Sequence, residues 1–174
     1  SLLNQGGFKR DRIKELAKEF VEIGVKAVVL IGGGEPMAHP EFGTLVDYFY
    51  ENDIHVGVTS NGTLIDKYAN SLANHTKWVR ISVDAGSEEV FQQYRPHASG
   101  KSQFNKVIDG MKILSKSRKT KLGFSFLVLE KVGADKKYNE KGQNFVETNA
   151  TDIFKAAKLA KEIGSRCIEI HTGK

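Results

Sequence analysis

The 174-residue chain contains a single cysteine, Cys167. One thiol excludes a disulfide framework and any cysteine-ligated metal site built by this chain alone, and it leaves a reducing cytoplasm as the default compartment. No apolar run approaches the ~20 residues that span a bilayer, and no signal-peptide pattern opens the sequence. The excess of one charge over the other is modest as well. The formal net charge is +5, and the only dense basic stretch is Lys116-Ser117-Arg118-Lys119-Thr120-Lys121, read as solvated surface before it is read as a nucleic-acid footprint. What is present is ordinary for a globular chain: 40% hydrophobic and 27% charged residues, with enough length for a single domain over residues 1–174 and a real core. The sequence begins at Ser1 and enters a helical pattern almost at once, so a piece of a longer protein is expected.

Five short runs rich in β-branched residues alternate with amphipathic stretches. The strands are predicted at Lys26–Ile31, Ile54–Thr59, Trp78–Val83, Lys121–Leu129 and Arg166–His171. The helices fall near 9–23, 41–52, 64–74, 101–117 and 150–163, where apolar residues recur at spacings of three and four. Gly24 and Gly164 stand just past two of these helices, where a left-handed residue is needed. Strand, helix, strand at this pace gives parallel pairing through right-handed crossovers. The polar stretch Lys131–Thr148 is expected to be a flexible loop insertion.

The strand faces separate two architectures. In Trp78–Asp84, Val79, Ile81 and Val83 form one face, and Arg80, Ser82 and Asp84 point the other way. The strands near 54–61, 121–128 and 166–171 divide in the same manner. A doubly wound sheet is apolar on both faces, and a closed eight-stranded barrel fills its interior with branched apolar layers. Apolar backs with polar or small fronts fit an α/β partial barrel, open and concave, with its chemistry at the C-terminal strand ends.

At one such end stands "IGGGEP". Glycines there let a ligand approach the backbone. A phosphate cradle would follow them with Lys, Ser or Thr, but here Glu35 would repel phosphate and Pro36 has no N–H to donate. The loop suits a cation such as an ammonium group, a charge-assisted pair worth ~1.5–3 kcal/mol when sheltered. The competing reading is a tight turn in which Pro36 opens a helix, and spacing alone leaves both open. Ser60-Asn61-Gly62 and Ser82-Val83-Asp84 end the next two strands. Hydroxyl, amide and carboxylate groups on one rim are what a ribose diol requires. Read singly, Asn61-Gly62 is a left-handed turn and Asp84 a helix N-cap ahead of Ser87-Glu88-Glu89.

Taken in order, these stretches resemble the radical S-adenosylmethionine superfamily. Gly33-Gly34-Glu35-Pro36 is similar to its GGEP motif, Thr59-Ser60-Asn61-Gly62 to its T-N-G stretch, "WVRISVDAG" to its fourth strand, and Tyr94-Arg95 to a tyrosine–arginine pair that follows. The segments Leu122–Glu130 and "DIFKAAKLAKEIGSRCIEIH" are similar to its fifth and sixth strands. The resemblance implies a partial (βα)6 barrel of the TIM type, here with its first strand missing. It implies that Gly33, Gly34 and Glu35 meet the methionine amino group of S-adenosylmethionine, that Ser82 and Asp84, with Asn61 near, face the ribose and carboxylate, and that Pro36 and Ser60 belong to the same cofactor site. Arg95 would reach the carboxylate, and His171 would lie near the adenine. The implied chemistry is one-electron reduction of S-adenosylmethionine by a 4Fe-4S cluster, yielding methionine and a 5′-deoxyadenosyl radical, with a reductant such as flavodoxin or ferredoxin as partner. The family's C-x3-C-x2-C motif is not in this chain, so the cluster ligands are expected upstream of Ser1 and the chain alone is expected to be inactive. Cys167 is expected to be a small buried filler.

Two other functions fit the same residues. One is a barrel lyase or isomerase using Glu35 and Asp84 as acid and base; the other is a non-catalytic barrel that binds a nucleoside. Glu169 and Arg80 are expected to pair across the concave face as structural filling. Trp78 is expected at the core edge, and His39, His55 and His97 at surface or turn positions.

Overall fold

The computed structural model describes residues 9–128, 130–132 and 146–172. Its main sheet is built from β1 (Ala27–Leu30), β2 (His55–Ser60), β3 (Trp78–Ser82), β4 (Lys121–Val128) and β7 (Cys167–Thr172), all parallel and paired in that order. Between them run α1 (Arg10–Glu22), α2 (Phe42–Glu51), α3 (Ile65–His75), α4 (Glu88–Tyr94), α5 (Phe104–Ser115) and α6 (Ile153–Ile163). Each strand of this sheet adds beside the one before it. Gly24 and Gly164 follow α1 and α6 with φ of 78° and 83°, the left-handed exit that a residue without Cβ makes easily.

The alternation in the strands decides where the core sits. Register places Val28, Val56, Val79, Leu122 and Ile168 on one side of the sheet, with Val58, Ile81, Phe124 and Phe126 further along it. The inner strands are sealed there: Val58, Val79, Ile81, Phe124 and Phe126 are 0% exposed. The core residues of α2, α3, α5 and α6 include Phe42, Val46, Leu72, Met111, Leu114 and Ala156, all buried in the same cluster. Gly110 lets α5 approach α3, since a Cβ there would lie 2.9 Å from Cβ of Ile65. The opposite face carries His55, Gly57, Thr59, Arg80, Ser82, Lys121, Gly123, Ser125, Glu169 and His171.

Trp78 belongs to this polar face and lies across the neighbouring strand, not at the core edge. A Cβ on Gly57 would stand 2.3 Å from the indole ring. Gly57→Ala should therefore dislodge the ring, cost about 1–3 kcal/mol through overpacking, and change the emission of the chain's single tryptophan. An unaltered spectrum and melting temperature would show that the ring does not rest there.

Three features depart from the sequence reading. α4 lies outside the helices that periodicity predicts, with only the N-cap reading at Asp84 pointing to a helix start there; its seven residues offer too few turns for a periodic signal. The expected loop at 131–148 has strands at both ends, β5 (Glu130–Val132) pairing antiparallel with β6 (Val146–Thr148), while 133–145 lie outside the described residues. Cys167 is exposed, because it opens the last strand of the sheet and no further strand covers it among the described residues.

Candidate functional site at the strand-end rim

The polypeptide leaves β1 through Ile31, 60% exposed, into Gly32-Gly33-Gly34. A Cβ built on Gly33 or Gly34 would meet nothing within 4 Å, so the peptide groups of this loop stand bare. Glu35 then turns the chain into a short 3-10 helix, Pro36–Ala38, with Pro36 in the first turn. Its carboxylate accepts hydrogen bonds from Met37 N at 3.0 Å, Ser60 Oγ at 2.8 Å and Asn61 N at 2.7 Å. Glu35 is thus a turn residue and a clamp between the ends of β1 and β2. With about four acceptor positions on a carboxylate and three donors in place, Oε2 keeps one acceptor position unfilled among the described residues.

Ser60 passes the connection on by accepting Gly62 N at 2.9 Å, while Asn61 Oδ1 accepts Thr63 N at 2.9 Å and Thr63 Oγ1 at 2.8 Å. The amide oxygen of Asn61 therefore fixes the turn, and its amino group is the part left for a ligand. Asn61 and Arg95 line one hollow of 180 Å³ together with Thr63 and Phe91. Ser82 closes β3 on the polar face, opposite Ser125 of β4, and is half-buried.

Asp84 is not the helix N-cap that one of its sequence readings gave. It is 0% exposed and sits at φ 57°, a conformation that costs a non-glycine residue energy unless its surroundings hold it there. Oδ1 accepts Leu127 N at 2.7 Å, and Oδ2 accepts Arg95 Nε at 2.7 Å and the Arg95 Nη2 group. Ser87, not Asp84, is the N-cap of α4. Asp84 fastens the end of β3 to the end of β4 and orients Arg95 from below. Asp84 thus lies buried beneath the Arg95 guanidinium, whereas Glu35 stands at the rim beside the glycine loop.

Two buried residues that the sequence did not single out complete the fastening. Asn149 donates to Asp84 O at 2.8 Å and to Leu127 O at 2.9 Å. Asp152 accepts Gly86 N at 2.6 Å and Ser87 Oγ at 3.1 Å. The available signal was an Asn and an Asp three apart just before an apolar helical run, a pattern of helix starts.

His171 lies on the polar face of β7, its Nε2 3.3 Å from Glu169 Oε2. Glu169 also binds Arg80 Nη1 at 2.5 Å, and Arg80 Nη2 reaches Thr59 Oγ1 at 3.3 Å. The expected Arg80–Glu169 pair is present, and His171 joins it from the side.

A larger groove of 820 Å³ runs from the glycine loop along the outer edge of β1, between α1 and α2. It is lined by Ile13, Ala17, Phe20, Val28, Leu30 and Phe42. Its apolar walls continue the core, and no strand pairs with that edge of β1 among the described residues. Among the described residues no group of three or more His, Cys, Asp and Glu is placed to hold a metal, and no helix is long and apolar enough to cross a membrane.

An open parallel sheet with helices on one face and a glycine loop, amide and hydroxyls gathered at its C-terminal rim is the layout of a partial α/β barrel enzyme. The model of the radical SAM superfamily matches residues 8–135, and the chain belongs to that superfamily. It is 24% identical over 162 residues to an AdoMet-dependent heme synthase of Methanosarcina barkeri, covering 92% of this chain and 40% of that protein. It is 28% identical over 120 residues to a probable GTP 3′,8-cyclase of Archaeoglobus fulgidus, covering 68% of this chain and 38% of the relative. The chain thus spans about two fifths of these curated relatives. Among solved structures, Streptococcus suis SuiB bound to S-adenosylmethionine superposes on 98% of this chain and 36% of its own, with TM-score 0.67 and 13% identity. Archaeal TYW1 does so over 98% and 59%, with TM-score 0.55 and 18% identity. The five-stranded parallel sheet is therefore that of a radical SAM partial barrel, and the chemistry of the superfamily is S-adenosylmethionine-dependent and radical.

Proposed function

We propose that this chain supplies the S-adenosylmethionine-binding surface of a radical enzyme whose iron–sulfur ligands come from outside these 174 residues. The observation that carries the reading is the bare Gly32-Gly33-Gly34 strand end, clamped by Glu35 to Ser60 and Asn61. Peptide groups freed of side chains, with one carboxylate position beside them, fit the α-ammonium of the methionine moiety. The Asn61 amino group and the Ser82 hydroxyl fit the ribose and carboxylate. Arg95, held from below by Asp84, borders the hollow that Asn61 shares and would meet the cofactor carboxylate as a guanidinium already oriented for it. Asp84 itself acts as a positioning residue.

A 4Fe-4S cluster does not fit the residues present. It takes several thiolates; the chain has one cysteine, and Cys167 opens β7 at the sheet end opposite the glycine loop. In this reading the isolated chain binds S-adenosylmethionine without cleaving it, and a reductant of the flavodoxin or ferredoxin kind acts only where a cluster is present.

Calorimetric titration with S-adenosylmethionine, and with adenosine as comparison, tests the reading. Binding of S-adenosylmethionine but not of adenosine supports it; equal affinity for both favours a plain nucleoside-binding barrel. Glu35→Gln presents an amide to donors that now meet a carboxylate. It should weaken S-adenosylmethionine binding about tenfold and lower stability by about 1–3 kcal/mol, the range for a buried donor left unpaired. Unchanged affinity would remove Glu35 from the site.

A further inference from the structure

The polar face below the rim holds a cluster that, His171 apart, the proposed cofactor binding leaves unused. Between the strand ends its described charged side chains are Arg80, Lys121 and Glu169, with His55 and His171 beside them. Lys121 makes no ion pair among the described residues, and Glu169 is the one carboxylate among these side chains, in contact with Arg80 and His171. Arg80 lies 5.9 Å from the Trp78 ring, which holds the guanidinium above the floor of the chamber. Its Nη1 is taken by Glu169 and its Nη2 reaches Thr59 at the long distance of 3.3 Å. Its Nε is buried with no hydrogen-bond partner. A buried donor left unpaired marks an arrangement completed by something else. The Nε–Nη2 edge, weakly used here, is the side on which a guanidinium grips a planar oxyanion with two hydrogen bonds.

The geometry points to Arg80 as the anchor for an oxyanion group, a carboxylate or a phosphate, of a substrate lying in the concave chamber. Glu169 and His171 hold the anchor and Lys121 adds charge. A small turn of the guanidinium away from Trp78 presents the Nε edge, and Thr59 yields its weak contact to the ligand. The inference rests on the concave face being the reaction chamber, and it adds the charge of the molecule received there.

Trp78, the only tryptophan, is a built-in reporter, its ring centroid 5.9 Å from the guanidinium carbon of the anchor. Its emission should change saturably when the chain is titrated with succinate or inorganic phosphate, with sodium chloride at matched ionic strength as the blank. Response to succinate alone assigns the site to carboxylates, response to phosphate alone to phosphate esters, and either supports the proposal. Arg80→Gln, checked for folding by circular dichroism and melting, should abolish the response. Glu169→Gln frees Nη1 from a competing carboxylate and should tighten anion binding at least about threefold. A merely structural ion pair would show no tightening. This second variant keeps the proposal testable if Arg80→Gln fails to fold. No saturable change with either anion, or weaker binding in Glu169→Gln, overturns the proposal. Calorimetry with S-adenosylmethionine on the same proteins reads the rim separately, so a failed anchor and a failed cofactor site give different results.

Discussion

Asp84→Ala is expected to lower the unfolding free energy by about 3 kcal/mol. Three things happen at once when this carboxylate is removed. The Leu127 N–H loses its acceptor, the Arg95 guanidinium loses its counter-charge, and a residue at φ 57° loses the contacts that hold it there. An unpaired buried N–H costs about 1–3 kcal/mol, and breaking a buried ion pair about 3–5 kcal/mol. Arg95 keeps 32% of its side chain exposed, so water recovers part of the second cost. Alanine at positive φ adds strain of its own. For a chain of this length the melting temperature should fall by about 6–12 °C. Asp84→Asn keeps an acceptor for Leu127 N–H and should lose roughly half as much. Urea unfolding checks both, and a loss under 0.5 kcal/mol for Asp84→Ala would mean that the fastening is not a structural element. The change should also weaken S-adenosylmethionine binding indirectly, through a disoriented Arg95.

Gly86→Ala should be as damaging for a different reason. A Cβ at this position would lie 2.2 Å from Ala156 N and 2.5 Å from Lys155 C. Both are backbone atoms of α6, so no side-chain rotation can make room. The loop after β3 would have to withdraw from α6, giving up the Gly86 N–H bond to Asp152 and opening the core around Ala156, which is 0% exposed. A cost of about 3 kcal/mol or more follows from overpacking with a lost buried hydrogen bond. Amide exchange should quicken in α6 before it quickens in β2 or β3. Wild-type stability in Gly86→Ala would contradict the close approach that the structure shows.

The fold was largely legible because its signals are periodic and local. All five parallel strands fall within one or two residues of their expected bounds, since apolar and polar residues alternate along each and glycines or polar clusters end them. α4 was hidden because seven residues containing only Val90, Phe91 and Tyr94 as large hydrophobics show no repeating face. The rim was legible in outline only. Glu35, Asn61 and Ser82 arrive at adjacent strand ends because parallel pairing brings consecutive C-terminal ends together. What those residues bind within the protein was not legible. Asp84 and Arg95 stand eleven positions apart with a helix between them, and Asn149 and Asp152 reach the site through a crossover, so no spacing rule links the four. Cys167 was misplaced because a small residue in an apolar strand reads as buried until the sheet order shows that its strand is the last.

The central claim is that the clamped glycine loop and its neighbouring strand ends form the S-adenosylmethionine surface. The most direct measurement is a titration of the isotope-labelled chain with S-adenosylmethionine, followed through backbone amide chemical shifts. Saturable shifts should concentrate at Gly32, Gly33, Gly34, Asn61, Ser82 and Arg95, and leave α2 and the Lys116–Lys121 stretch unmoved. Shifts confined to that basic stretch, or none at millimolar ligand, would contradict the claim.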